Sequence, residues 1–236
     1  MESVRALETS VVIPAHNEDR TVGEIVRECR RYCSEVIVVD DASNDMTFET
    51  AKAAGATVTR NTVNLGVVRS TQIGLRLASR EVVVTLDADG QHNPHEIPDV
   101  VRPIALDAAD LVLGKRERGR PFSEHVISAL TSLQVKCNDV GTGFRAFRGD
   151  LAHAIRLWGF CLCGSLVLEA QRLGARIVEV PITVRPRQAG ISHWPSACSR
   201  GSVHCKQTLL IAWSLVSLAG DSPRNYGRQN CSSRLR

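Results

Sequence analysis

An α/β fold built on a mostly parallel sheet is the architecture this sequence predicts, and three observations carry it. From residue 10 to about 114, short apolar runs alternate with segments of helical spacing, joined by brief connections. The runs are β-branched and nearly continuous, as strands covered on both faces are. The main runs stop at acids or amides: Asn17-Glu18, Asp40-Asp41 and Asp87/Asp89. In open α/β sheets that carboxyl edge is where ligands bind.

Taken in order, residues 10–14 form the first expected strand, 21–33 a helix, and 35–39 a second strand. Residues 47–54 read as a helix closed by Gly55, 57–59 as a short strand, 67–78 as a helix, and 82–86 as the strand that ends at Asp87. Residues 94–104 and 111–114 continue the alternation. Beyond residue 120 it loosens: 122–135 has helical spacing, 141–147 looks like a turn entering a strand, and 164–173 is a helix ended by Gly174. Residues 175–184 read as a strand interrupted by Pro181, which suits an edge position. No internal repeat or low-complexity linker divides the chain. A single domain is expected over residues 1–200, then an apolar helix at 201–220 and a polar, basic, disordered tail at 221–236.

At 236 residues and 43% hydrophobic, the chain can bury one sizeable core. A formal net charge of +4 is too small to argue for nucleic acid as a partner. Basic residues cluster at Lys115-Arg116-Glu117-Arg118-Gly119-Arg120 and along the tail at Arg224, Arg228, Arg234 and Arg236. Each cluster is either a solvated loop or a surface for an anionic substrate or membrane. The eight cysteines have neither a preceding secretory signal nor the paired spacing of a structural zinc site. Small buried thiols in a reducing cytoplasm are therefore expected. The apolar stretch at 209–219 is about half the length needed to cross a bilayer. It reads either as a packed helix or as an interfacial helix beside the basic tail.

Asp87-Ala88-Asp89-Gly90-Gln91-His92 is the densest chemical signal. Hard carboxylate oxygens at a strand end suit Mg²⁺ or Mn²⁺, ions that complete their shells with substrate phosphates. An acidic turn has the same local pattern. After the first strand stands Pro14-Ala15-His16-Asn17-Glu18 rather than G-x-G-x-x-G, and no G-x-x-x-x-G-K-[ST] loop occurs. That removes the two commonest nucleotide fingerprints. What remains is a nucleotide site assembled from strand-end side chains, with base and ribose held by Asn17, Glu18 and Asp40 and a diphosphate held through a metal at Asp89. Singly, each of these residues is also a common cap or turn former.

Six motifs then stand in a fixed order: Val11-Val-Ile-Pro-Ala-His-Asn-Glu18, Val38-Val-Asp-Asp-Ala-Ser43, Asn64-Leu-Gly66, Asp87-Ala-Asp-Gly-Gln-His92, Gly141-Thr-Gly-Phe-Arg145 and Glu179-Val-Pro-Ile182. Together they closely resemble family 2 glycosyltransferases, and within that family the dolichyl-phosphate or polyprenyl-phosphate mannose and glucose synthases. The resemblance implies a GT-A fold, a Rossmann-like sheet with helices on both faces. It also implies a nucleotide-diphosphate sugar donor, Mg²⁺ or Mn²⁺, and inversion at the anomeric carbon. Carried over by position, Pro14, Glu18 and Asp40 line the nucleoside pocket. Asp87 and Asp89 sit at the diphosphate and metal, with Gln91 beside them. Arg116, Arg145 and Arg187 face phosphate groups, Arg187 lying in Arg185-Pro-Arg-Gln-Ala-Gly-Ile-Ser192, which is similar to a basic R-x-x-G-x-S segment of the family. The Q-x-x-R-W motif of processive polysaccharide synthases is not found after Gly164.

Departure of a nucleoside diphosphate builds negative charge that a bound metal neutralises, and arginines add bidentate contacts to phosphate oxygens. A lipid phosphate, whose second ionisation falls at about pH 6, is already anionic at neutral pH and needs no base. A hydroxyl acceptor does need one, and Asp139 is the candidate, unless it caps the adjoining turn. The expected protein is an inverting transferase that moves a hexose from GDP-mannose or UDP-glucose to a polyprenyl or dolichyl phosphate. It is expected to be cytoplasmic and peripheral on a membrane, with the membrane surface or a membrane protein as partner. The rival readings are a soluble family 2 transferase acting on a hydroxyl acceptor and a non-catalytic nucleotide-sugar-binding subunit.

Overall fold

The computed structural model describes residues 8–117, 121–186 and 197–217. At its centre is a seven-stranded sheet in the order β3-β2-β1-β4-β6-β5-β7. Six strands run parallel: β1 (Thr9–Ala15), β2 (Glu35–Asp40), β3 (Thr57–Arg60), β4 (Val82–Thr85), β5 (Leu111–Arg116) and β7 (Ile177–Ile182). β6 (Arg145–Arg148) runs against its neighbours β4 and β5. The α-helices of the described residues are α1 (Val22–Cys29), α2 (Thr47–Ala53), α3 (Val67–Leu77), α4 (Ile97–Ala105), α5 (Phe122–Thr131), α6 (Gly149–Ala154), α7 (Ser165–Arg172) and α8 (Ala197–Ser217).

The near-continuous apolar strands are explained by cover on both sides. Along β1, Val11 and Ile13 join a core with Ile25 and Val26 of α1 and Val100 of α4. Val12, pointing the other way, joins a second core with Leu75 of α3, Ile127 of α5, Leu151 of α6 and Ile211 of α8. Successive strand residues face opposite sides, so both faces must be apolar. Full burial of each such side chain contributes roughly 1.5–3 kcal/mol. α3 lies directly on β1, because a Cβ on Gly74 would stand 2.2 Å from Val12 Cγ1.

Two elements differ from expectation. α6 is six residues long, too short for its periodicity to show in sequence. α8 is one continuous helix of 21 residues, although only its second half is apolar. Its polar first half folds as helix because His204, Gln207, Ile211 and Ser214 form one buried stripe, largely against α5. Among the described residues no helix is long and apolar enough to cross a membrane. β7 is an edge strand, as its proline suggests, with Pro181 in register with Lys115. The tail at 221–236, Arg118, Arg120 and Arg187 lie outside the described residues.

From β1 the chain steps outward through β2 and β3, then returns to β4 on the other side of β1. β1 and β4 therefore form the topological switch point, where a crevice opens beyond the carboxyl ends of the strands. Residues 14–18 and 87–91 arrive there together.

Candidate active site

The loop after β4 carries Asp87 and Asp89 and is held on three sides. Asp87 lies against Gly143, where a Cβ would stand 2.2 Å from Asp87 Oδ2, so only glycine allows the approach. Thr85 Oγ1 donates to Gly143 O at 2.8 Å and locks the same contact. The Asp87 side chain is 43% exposed and faces His92 Nδ1 at 3.6 Å. Asp89 Oδ1 accepts the Gln91 N–H at 3.0 Å, across Gly90 with φ +77°. Arg185 N–H donates to Gln91 O at 2.9 Å, and Gln91 Nε2 donates to Arg185 O at 3.4 Å. The buried ring of His92 packs on Phe144 with centroids 5.6 Å apart.

At the ends of β1 and β2 the polar side chains brace one another. Asp40 is fully buried; its Oδ1 accepts the Ser43 N–H at 3.0 Å and its Oδ2 meets Arg60 Nε at 2.5 Å. Arg60 also lies over the Phe48 ring, 4.6 Å from its centroid. Asn17 takes φ +54°, its N–H donates to Ser43 Oγ at 2.9 Å, and its Oδ1 accepts the Asn44 N–H at 2.8 Å. Glu18 is buried, and its N–H donates to Thr47 Oγ1 at 2.8 Å. Thr21 Oγ1, beside the Glu18 carboxylate, donates to Ala88 O at 2.7 Å and ties this wall to the loop after β4. Pro14 sits within β1, in register with Val39.

The arginines occupy two different settings. Arg116 forks onto Asp139, with Nε to Oδ2 at 2.8 Å and Nη2 to Oδ1 at 2.7 Å, and its Nη2 also reaches Glu124 Oε2 at 2.5 Å. Asp139 is fully buried and also accepts the Arg116 N–H at 3.0 Å. Burial opposes the Arg116 charge, but the hydrogen bond to Asp139 and the charges of Glu124 and Asp139 outweigh it and push its pKa up. Arg145 is 1% exposed; its Nη2 donates to Val140 O at a long 3.5 Å, while Nε and Nη1 have no acceptor among the described residues. Burial pushes its pKa down, against the charges of Cys163, Asp87 and Asp139.

The structure thus gathers Pro14, Asn17, Glu18, Asp40, Asp87, Asp89 and Gln91 at one sheet edge. Arg116, Asp139 and Arg145 stand on the β5–β6 side of it. Arg116 and Asp139, expected in separate roles, form a single ion pair. Sequence reasoning did not single out Glu124, which reads as an ordinary helix acid, and marked Asp41 only as a strand-end acid; Asp41 accepts N–H groups from Asn61, Leu65 and Gly66 at 2.7–2.8 Å and shapes the Asn64-Leu65-Gly66 turn. Glu179 was visible only as part of a motif. Its Oε1 accepts the Asn138 and Asp139 N–H groups, both at 2.7 Å, and so sets the position of Asp139. Chemically, the edge offers exposed carboxylate oxygen for a hard cation beside buried positive charge.

Comparison with known proteins is consistent with this arrangement. Residues 10–154 match the family described as glycosyl transferase family 2. An undecaprenyl-phosphate mannosyltransferase of Micrococcus luteus is 33% identical over 210 residues, 77% of this chain and 85% of that protein. A polyprenol monophosphomannose synthase of Mycolicibacterium smegmatis is 32% identical over 213 residues, 78% of this chain and 80% of that one. Among solved structures, glucosyl-3-phosphoglycerate synthase from Mycobacterium tuberculosis in complex with Mn²⁺ and UDP-glucose superposes with a TM-score of 0.71 at 25% identity, over 86% of this chain and 78% of that one. Match, relatives and fold agree: the chain belongs to glycosyl transferase family 2 and is a glycosyltransferase with the GT-A architecture.

Proposed function

We propose that this enzyme transfers a hexose, with inversion, from a nucleotide-diphosphate sugar, GDP-mannose or UDP-glucose, to a polyprenyl phosphate at a membrane surface. The observation that carries the reading is the Asp87/Asp89 pair at the switch point, with the Asp87 carboxylate 43% exposed and seated on Gly143. An all-oxygen donor set fits Mg²⁺ or Mn²⁺, with Asp87 and Asp89 as ligands and Gln91 beside them. When bound, that ion neutralises charge on the departing diphosphate. The Asp40–Arg60 pair and the Asn17–Ser43 wall flank the nucleoside. Arg145, and Arg187 from outside the described residues, serve the acceptor phosphate.

A lipid phosphate acceptor is favoured by the state of Asp139. A carboxylate that is fully buried and forked by Arg116 is a poor proton acceptor, and an anionic acceptor does not require one. The relatives named for undecaprenyl and polyprenol phosphates support the same class. Exposed apolar side chains support contact with lipid: Phe122 of α5 is 83% exposed, and Trp213 and Leu209 of α8 are 71% and 66% exposed.

The test is product formation from labelled GDP-mannose and UDP-glucose, with and without polyprenyl phosphate, in Mn²⁺ or EDTA, by wild type and Asp89→Ala. Metal-dependent labelled lipid of inverted anomeric configuration, absent with the variant, is the expected result. Donor hydrolysis or transfer to a soluble hydroxyl without lipid product would replace the acceptor. Nucleotide binding without turnover would reduce the chain to a binding subunit.

A further inference from the structure

Cys161 and Cys163 lie in the turn that precedes α7, and His204 reaches them from α8, 41 positions beyond Cys163. All three are buried, and one ligand atom from each, two sulfurs and an imidazole nitrogen, lie within 4.8 Å of one another. Cys163 Sγ is 3.9 Å from His204 Nε2. We propose that Cys161, Cys163 and His204 form a soft-metal site, of the kind zinc occupies, that pins α8 to the turn before α7.

The distances suit the metal. Tetrahedral zinc with bonds of about 2.3 Å to sulfur and about 2.0 Å to nitrogen separates neighbouring ligand atoms by roughly 3.5–3.8 Å. Closing the present cluster onto an ion needs shifts of about an ångström or less. His204 is already oriented as a ligand, since its Nδ1 is 2.7 Å from Ser123 Oγ of α5, which leaves Nε2 directed at Cys163. A hydrogen bond at the remote ring nitrogen is the usual support of a metal-bound histidine. The turn itself is built to meet α8. Gln207 Oε1 accepts the Phe160 N–H at 2.9 Å, and Gln207 Nε2 donates to Cys163 O at 3.3 Å. Gly159 and Gly164, at φ +94° and +77°, bracket the two cysteines, and a Cβ on either would collide with α8 side chains.

A separate observation points to a missing hydrogen-bond acceptor here. Arg145 is buried with Nε and Nη1 lacking acceptors among the described residues, and its charge interacts with Cys163. Metal binding releases both thiol protons to solvent and leaves thiolate sulfur beside that guanidinium. Two thiolates, a neutral imidazole and a divalent ion sum to zero, so the centre adds no net charge to the interior. A small ligand such as water completes the fourth position. Two thiolates and an imidazole select a softer metal than the oxygens of Asp87 and Asp89 do, so the two sites take different ions.

The test uses the whole chain, stripped of metal under reducing conditions and titrated with Co²⁺. The expected result is a stoichiometric complex with thiolate-to-cobalt charge transfer in the near ultraviolet and intense tetrahedral d–d bands, displaced by Zn²⁺. The bands persist in the Asp87→Ala/Asp89→Ala variant and disappear in Cys163→Ser. Zinc at about 100-fold above Kd raises the wild-type Tm by roughly 5–10 °C and leaves Cys163→Ser unmoved. Folded wild type without thiolate–cobalt bands, unchanged bands in Cys161→Ser/Cys163→Ser, or a Cys161–Cys163 disulfide in protein from reducing cells would each overturn the proposal.

Discussion

Arg145 and Arg148 stand at opposite ends of the same four-residue strand, and their surroundings differ in kind. Because β6 is antiparallel, Arg148 is delivered to the edge where β5 and β7 begin. There Asp110, fully buried, accepts from Arg176 Nε at 3.0 Å and lies 3.1 Å from Arg148 Nη2, and Asp107 joins both arginines. That cluster pairs acids with bases closely, leaving Arg148 Nε without an acceptor among the described residues, and lies at the edge away from the switch point. At the other end Arg145 keeps two N–H groups without acceptors among the described residues, and Asp87 keeps an exposed carboxylate. Charge alone therefore does not mark a site. Unspent hydrogen-bonding and coordinating capacity at the carboxyl edge does.

The largest effect that would break this contrast comes from Arg116, which belongs to the carboxyl edge yet is closed like the Arg148 cluster. Arg116→Ala strands Asp139 and Glu124 and is expected to destabilise by about 3–5 kcal/mol in urea denaturation. A loss under about 1 kcal/mol, the range of an exposed pair, would show that the pair is not structural. Asp89→Ala tests the open end, with an expected fall in kcat/KM on the order of 10²–10³-fold and little change in Tm. A matching loss of stability would move Asp89 into the closed class.

Asp110 sharpens the contrast from the other side. Burial raises its pKa, but the hydrogen bonds from Arg176 and the charges of Arg148 and Arg176 win and hold it at about 2. Since an unfolded aspartate titrates at about 3.9, the folded state is favoured above that pH by at most about 2.6 kcal/mol, which solvent screening reduces to about 1–2 kcal/mol. That stability is lost as pH falls from about 4 towards 2. Asp110→Asn should flatten the acid limb of the stability curve in this window and leave transfer activity near wild type. The smallest expected effect is Gly66→Ala. Gly66 has φ +81° with nothing within 4 Å of where a Cβ would stand, so only backbone strain of about 1 kcal/mol is expected. Gly143→Ala, by contrast, displaces Asp87 and should cost activity well beyond its effect on Tm.

Features of local origin could be read from the chain alone. β-branched runs ending at Asp40 and Asp87, the helices between them, Gly55 as a stop and Pro181 on an edge strand follow from side-chain period and backbone restriction within a few residues. That is why the parallel half of the sheet and the acids at its carboxyl edge were legible in advance. The antiparallel insertion of β6 between β4 and β5 was not, since register and neighbours depend on contacts far along the chain. Folding in three dimensions likewise settles that Asp139 faces Arg116, that Gly143 makes room for Asp87, and that a Cys-Leu-Cys turn meets a histidine from α8. None of these pairings leaves a periodic signal in the sequence, because each joins residues 23–56 positions apart through packing of whole elements.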